Sequence, residues 1–364
     1  MKIQLLPIAV LALLISCTTN KAEDEMNGIV SLERAKMPEA VVLSNPQEIE
    51  MPEMLNPAYF SVVHDSLLFV TNQQNMENFV DVYSLSTNTL LFHLAHRGQG
   101  PSEMLSCTVN SHSNTDDNIY LMDSSKKRFY TEDINDVLSA GSFSLGRYFT
   151  YSSEVLETLD IIDVSDSSYL AYNMWYLDAE GYQNGMDSGV ELFQKNTDSG
   201  KGIGDFSNFV ASVNGARIFE VPGSDSYWVA DIHKDEIRIL NRDLTLKKRI
   251  EGPDGFNISY ESSNGNAPVN FVSFSGEKEY RTYTDYFITK DHVYLIYEGN
   301  DHFNMEDLTP VEMFKFDHDG TLLATYRFDR FVNSISISKD ERYLYCGSRK
   351  SVSEVPCLLR YELR

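Results

Sequence analysis

Basic residues are scarce in this chain. Thirty Lys and Arg stand against 54 Asp and Glu, a formal charge of −24 over 364 residues. No Lys/Arg run longer than three residues and no basic patch appears, which argues against nucleic acid as a partner. Cysteine is also scarce, at four residues, with no Cys-x-x-Cys or His-x-x-x-His pair. A zinc site therefore has no local support. The catalytic signatures that short motifs reveal are missing too: there is no Gly-x-Ser-x-Gly elbow, Walker loop or dinucleotide fingerprint. Gly200-Lys-Gly-Ile-Gly204 is glycine-rich but lacks the strand–loop–helix context of a phosphate site. The eight His residues are scattered, with strand ends and turns as their default places. A site assembled from single residues of separate repeats would leave no motif, so these absences do not exclude an enzyme.

What the chain does contain is a repeat. An Asp followed three residues later by an aromatic residue or Leu and then an aliphatic residue or Phe occurs at Asp65, Asp117, Asp166, Asp225, Asp291 and Asp340. The copies lie about fifty to sixty-odd residues apart, the period of a repeat architecture. The residues after each Asp are rich in Tyr, Leu, Val and Trp, which suit strands. Each Asp fits a hairpin turn, where a short polar side chain can hydrogen-bond the backbone ahead. Six such units predict an all-β fold, a six-bladed β-propeller. The last copy shows the plan of a blade: strands over 333–338, 342–347 and 356–363, with a polar turn at Asp340.

A second repeated element supports the first. Ser84–Leu90, Leu240–Leu246 and Phe316–Leu322 each place a polar turn before Thr-Leu, as a hairpin joining third and fourth strands would; Tyr176–Gly181 is a looser copy. Asp317-His-Asp-Gly320 has the look of a calcium loop but lacks the later acidic ligand. The final unit stops after three strands, which would leave an unpaired edge. Strand-like residues at 40–49 are expected to supply the missing strand and close the ring, with Pro46 suited to an outer edge. A closed ring buries its core between blades, so residues 40–364 read as one domain. Extra sequence at Gly185–Phe206, Gly252–Gly276 and Gly299–Thr309 reads as loop insertions.

The one apolar run lies at the start, Met1–Cys17, and is too short and poorly flanked to span a membrane. Residues 1–16 read as a signal peptide. Leu14-Ile-Ser-Cys17 resembles the lipobox of bacterial lipoproteins. That resemblance implies cleavage before Cys17 and its acylation, and multiple acyl chains give stable attachment. Residues 17–39 read as a flexible acidic tether. Lys21-Ala-Glu-Asp-Glu25 resembles the acidic export signal of Bacteroidota surface lipoproteins. The expected address is the outer membrane, facing the periplasm or the cell exterior. Cys346 and Cys357 fall on neighbouring strands, but such neighbours often point apart, so free thiols are expected.

His96–Met104 follows the first unit's outer strand. Arg97, Gly98, Gly100, Pro101 and Glu103 match the Gly-x-Gly-Pro-x-Glu signature, and with the repeats and lipobox the chain resembles the TolB-like six-bladed propeller lipoproteins of Bacteroidota. The glycines permit a tight crossing between blades, Pro101 stiffens it, and Arg97 and Glu103 are placed to pair across it. A structural role is the expected one for these residues. The first functional reading is a monomeric, non-catalytic binding or scaffolding module for a protein, peptide or glycan. The second is a hydrolase or lactonase with a divalent cation such as calcium in the axial channel; it rests on fold analogy, and no motif supports a cofactor. Carboxylates gathered at one end of the channel would favour the second reading.

Overall fold

The computed structural model describes residues 28–50, 60–63, 66–72, 75–115, 117–155, 160–172, 189–198, 208–209, 215–258, 260–263, 270–274, 280–301, 308–349 and 356–363. Six sheets radiate as the blades of a β-propeller, and one short helix joins them. Blade 1 holds Phe60–Val63, Leu67–Thr71, Asn78–Ser84 and Thr89–His96. Blade 2 holds Thr108–Val109, Asn118–Asp123, Arg128–Asp133 and Tyr148–Thr150. Blade 3 is described over Ile161–Asp163, Ser168–Tyr172 and Val190–Gln194. Blade 4 runs from Ala216 to Glu251, blade 5 from Tyr280 to Phe328 and blade 6 from Val332 to Glu362.

The two-residue period of the strands builds the core. In blade 1, Leu67 and Phe69 face blade 2 while Leu68 and Val70 face blade 6. Repeated around the ring, this alternation gives six apolar clusters, one at each junction of adjacent blades. The junction of blades 4 and 5 is the most aromatic, with Phe219, Trp228, Tyr283, Tyr286, Phe314 and Phe316 buried together. Each buried aromatic or large aliphatic side chain stabilises by roughly 1.5–3 kcal/mol. Because every cluster takes residues from two blades, none is complete without its neighbour.

Up-and-down strands sort the connections by face. Turns between first and second strands and between third and fourth strands meet at one end, as the bonds from Leu85 N to Ser66 O and Leu363 N to Arg342 O show, both 2.8 Å. This is the short-turn face. Asp117, Asp166, Asp225, Asp291 and Asp340 all lie there, between the first two strands of their blades, and Asp65 lies outside the described residues. The Thr-Leu hairpins share that face. Asn88, Leu244 and Gly320 hold the same position before Thr in three of them, with φ of 54°, 66° and 76°. A register shift precedes each turn, at Val82/Tyr83, Ile239/Leu240 and Lys315/Phe316. This is the geometry of a turn ended by a left-handed residue and a bulge. Tyr176–Gly181 lies outside the described residues.

The start of the ring differs from the sequence reading. Gln47–Ile49 do supply the fourth strand of blade 6, antiparallel to Leu358–Arg360. Val41–Leu43 do not; they add in parallel to the outer strand of blade 5. The tether expected over 17–39 gives way to regular structure at its C-terminal end: Ile29–Ser31 add in parallel to the outer strand of blade 4, and Leu32 is buried at 9% exposure. Apolar residues at 29, 30 and 32 find an open sheet edge, which outweighs the polar composition around them. The segment thus clasps three successive blades from outside. Arg34 secures it, reaching Asp254 at 2.7 Å and also pairing with Glu312.

Two further differences concern insertions. Gly185–Phe206 was expected as a loop, but it contains Val190–Gln194, the third strand of blade 3. Asn208–Phe209 pair in parallel with Asn270–Phe271, at the start of the strand Asn270–Phe274, whose residues Phe271–Phe274 pair with Tyr260–Ser263 in a small extra sheet. The helix α1 (Ile134–Ala140) was also not anticipated. Asp133 caps it by accepting from Asn135 N at 2.8 Å, and Gly141 ends it at φ 66°. Its buried face, Ile134 and Val137, joins the cluster between blades 1 and 2.

Candidate functional site

The signature segment crosses from blade 1 to blade 2 on the face opposite the short turns. Its ends are tied by paired bonds, Gly98 N to Met104 O at 2.9 Å and Met104 N to His96 O at 2.8 Å. Arg97 and Glu103 go to separate partners. The Arg97 guanidinium stacks over Phe79, 3.7 Å from the ring centre. The Glu103 carboxylate turns inward and accepts from Gly100 N at 2.7 Å. A Cβ on Gly98 would lie 1.9 Å from Glu103 Oε2, and one on Gly100 would lie 3.0 Å away. The glycines therefore make room for a carboxylate that closes the loop. Pro101 stands exposed at the loop tip. Lys126 of blade 2 seals the crossing by donating to Glu103 O at 2.6 Å and Gly100 O at 3.1 Å. These contacts are structural in kind.

A second group was not legible in the sequence. Ser113 bridges in parallel to Ile288 at the end of blade 5's inner strand. Ile288 N donates to His112 O at 2.8 Å, and Asn114 Nδ2 reaches Ile337 O of blade 6 at 2.9 Å. Blades 2 and 5 stand opposite each other in a six-membered ring, so residues 112–114 cross its axis. Four side chains from four blades meet beside this strut. His112 lies 3.5 Å from Asp285 Oδ1 and 3.8 Å from Asp160 Oδ1. Arg217 lies 3.8 Å from Asp160 Oδ1 and donates to Thr284 O at 2.9 Å. Two register shifts in the inner strand of blade 5, at Arg281/Tyr283 and Tyr283/Asp285, set the aim of Asp285.

Burial governs this group. It pushes the Asp285 carboxyl up to about 7, with Arg217 pulling the other way. Burial lowers His112 to about 3, and the guanidinium of Arg217 adds to that shift. Asp160 is also raised by burial, against the opposing pull of Arg217, Ile218 N–H and the Tyr286 hydroxyl. Ile335 N donates to Asp285 Oδ2 at 2.8 Å. Carboxylates therefore do gather at the axis, with Arg217 beside Asp160. Among the described residues, no group of three or more His, Cys, Asp or Glu is arranged to hold a metal ion. Asp317, in the calcium-loop lookalike, accepts from Asp319 N at 3.0 Å and Thr321 N at 2.7 Å and so closes its own hairpin.

The third feature is the face that carries the signature crossing. The connections 97–107, 151–160, 173–189, 252–279, 302–311 and 349–356 all emerge there, as the alternation of strands requires. The extra sheet takes two strands from the connection before blade 5 and adds Asn208–Phe209, which precede blade 4. Met76 and Leu105 are exposed on the same face, at 87% and 44%. On the other face, blade 2 has two excursions, one within 110–117 and one at α1. Cys107 and Cys346 are buried free thiols, and Cys357 is half-buried. Cys346 pairs with Leu359 and Ser348 with Cys357, so the last two thiols are offset diagonally by two residues. Cys17 lies outside the described residues; within them, no helix is long and apolar enough to cross a membrane.

Comparison with known proteins gives one family. The profile described as TolB-like 6-blade propeller-like matches residues 54–340. No curated protein matches. Among solved structures, a member of the duf4221 family from Bacteroides vulgatus is similar, with a TM-score of 0.56 and 9% identity, over 88% of this chain and 97% of that one. A protein from Bacteroides fragilis aligns over 92% of this chain and 98% of its own, with 12% identity and a TM-score of 0.47. At such identities the first likeness shows a shared fold.

Proposed function

The chain belongs to the TolB-like six-bladed propeller family, and on that premise we propose that it is a lipid-anchored module of the cell envelope. It binds a protein, peptide or glycan on its long-connection face and carries out no chemistry. The observation behind this reading is the asymmetry of the ring: the connection before blade 5 builds an extra sheet with Asn208–Phe209, beyond the six blades. Rigid blades presenting variable loops are the usual arrangement for recognition. The axial strut supports the same reading, because residues 112–114 lie across the channel. The lipobox-like Leu14–Cys17 supports the anchor.

Two experiments test this. Metabolic labelling with a fatty-acid analogue should mark the wild type and leave Cys17→Ala unmarked; equal labelling removes the anchor. Affinity capture from intact envelopes should be lost in a Met76→Glu/Leu105→Glu variant and retained in Leu91→Glu, which alters the outer rim. Capture that survives the first variant and fails in the second would move the binding surface to the rim.

A further inference from the structure

We infer that the axis of the ring is a dead-end pocket, entered from the long-connection face, that takes hydroxyl groups of a neutral sugar or polyol; this rests on the binding role proposed above. The spacing of four side chains points to it. His112 Nε2 and Arg217 Nη1 each lie 3.8 Å from Asp160 Oδ1, and His112 Nδ1 lies 3.5 Å from Asp285 Oδ1. A hydrogen bond between nitrogen and oxygen spans roughly 2.7–3.2 Å, so each gap is too wide for a direct bond. Polar groups at such a distance are joined through a third, bridging atom. Asp160 is 2% exposed, and its Oδ2 accepts from Ile218 N at 3.2 Å. Its Oδ1 faces His112 and Arg217 and has no hydrogen-bond partner among the described residues. A buried carboxylate oxygen in that state costs free energy until a donor reaches it.

One end of the axis is closed. Ser113 bridges to Ile288, where the inner strand of blade 5 reaches the short-turn face, so the strut 112–114 covers that mouth. Asp285 lies three residues, about 10 Å, further in, and His112 reaches toward it from the strut. Even so, His112 and Arg217 keep 16% and 15% of their side-chain surface exposed. With the strut across one mouth, that surface is approached from the long-connection face. Chemistry then selects the occupant. An atom shared by Arg217 Nη1 and Asp160 Oδ1 must accept from the first and donate to the second. A hydroxyl oxygen does both. An ammonium cannot accept, and an ionised carboxylate cannot donate and is repelled by Asp160. One ring nitrogen of His112 bonds the Tyr286 backbone and burial keeps the ring neutral, so the other nitrogen accepts from a second hydroxyl. Neighbouring hydroxyls of a sugar ring supply both.

Saturation-transfer NMR tests the pocket. The probes are the methyl pyranosides of glucose, galactose and mannose, with sodium acetate and methylammonium chloride as ionic controls. The wild type should transfer to at least one pyranoside and to neither control. Asp160→Asn keeps an acceptor for Ile218 N but replaces the second carboxylate oxygen with an amide donor. Arg217→Lys keeps the charge and loses the planar fork. Each should weaken pyranoside binding about tenfold or more with the fold intact by circular dichroism; if one variant fails to fold, the other decides. Binding that survives in the folded variants overturns the pocket as the site. Transfer to acetate or methylammonium that the variants abolish overturns the hydroxyl in favour of an ion. No transfer to any pyranoside, in a protein that still captures its envelope partner, overturns the pocket alone; loss of both overturns the binding role with it. Methanol released from a bound pyranoside would support the pocket and overturn the non-catalytic reading.

Discussion

At the scale of single residues, carboxylates do most of the fastening. Glu103 closes the signature loop by accepting from Gly100 N, while Arg97 rests on Phe79. Glu103→Ala should cost about 1 kcal/mol through the lost backbone acceptor. Because Arg97 and Glu103 have different partners, a double-mutant cycle on chemical denaturation midpoints should give a coupling near zero. Coupling above about 1 kcal/mol would restore the ion pair expected from the sequence. Gly98→Ala should destabilise more than Gly100→Ala, since its Cβ would displace the carboxylate. Gly252 has the tightest surroundings: a Cβ there would lie 1.5 Å from Asp235 Oδ1. Asp235 is buried and accepts from Asp254 N and Gly255 N, both at 2.8 Å. Gly252→Ala should therefore lower stability by more than about 2 kcal/mol, read from the same midpoints. Glu341 ties blade 6 to blade 5, accepting from His292 Nδ1 and the Tyr294 hydroxyl at 2.8 Å and from Lys315 at 3.1 Å. Despite burial, these donors and Thr289 lower its carboxyl to about 2. Its folded value lies below the unfolded one, so its contribution is full above the ordinary glutamate range and is lost as pH falls toward 2. Glu341→Gln should flatten the acid limb of a stability–pH curve between about 4.5 and 2.

At the scale of elements, the axial strut and the outer clasp are the two pieces that break the repeat. The strut brings His112 to Asp285 and Asp160 beside Arg217. Burial raises Asp285 to about 7, above its unfolded value. Its contribution is present below the ordinary aspartate range and fades as pH rises through 7. Asp285→Asn removes that fade. The stability of the variant relative to the wild type should therefore improve as pH is raised from 4 to 7, measured by urea unfolding at each pH. A relative stability that is constant with pH would show that Asp285 titrates in its ordinary range. In the clasp, Arg34 joins Asp254 and Glu312, with 41% of its side chain exposed. That exposure limits Arg34→Ala to about 1 kcal/mol.

At the scale of the molecule, the ring stands or falls as a closed circle of six junctions. Ile49 enters the cluster between blades 6 and 1, Leu43 that between 5 and 6, and Leu32 that between 4 and 5. One N-terminal segment therefore touches three of the six junctions. Deleting residues 28–49 should lower the thermal midpoint of the whole protein in a single transition and leave no stable half. An unchanged midpoint, or a second transition at the original temperature, would show that the blades close without it.

The sequence by itself determined the architecture, because a propeller writes its period into the chain. The Asp turns, the Thr-Leu hairpins and the strand alternation are local, so each copy reports on itself; blade 6 was legible to within a residue at each strand. The signature residues were legible as a tight crossing for the same reason. Tertiary structure decided everything that joins distant repeats. Nothing near Arg97 announces Phe79 as its partner, and nothing near His112 announces Asp285, 173 positions later, or Arg217. Val41–Leu43 and Ile29–Ser31 are short strands whose partners exist only once blades 4 and 5 expose their outer edges. The gathering of the connections between blades on one face follows from the alternation of strand direction, which no single repeat contains.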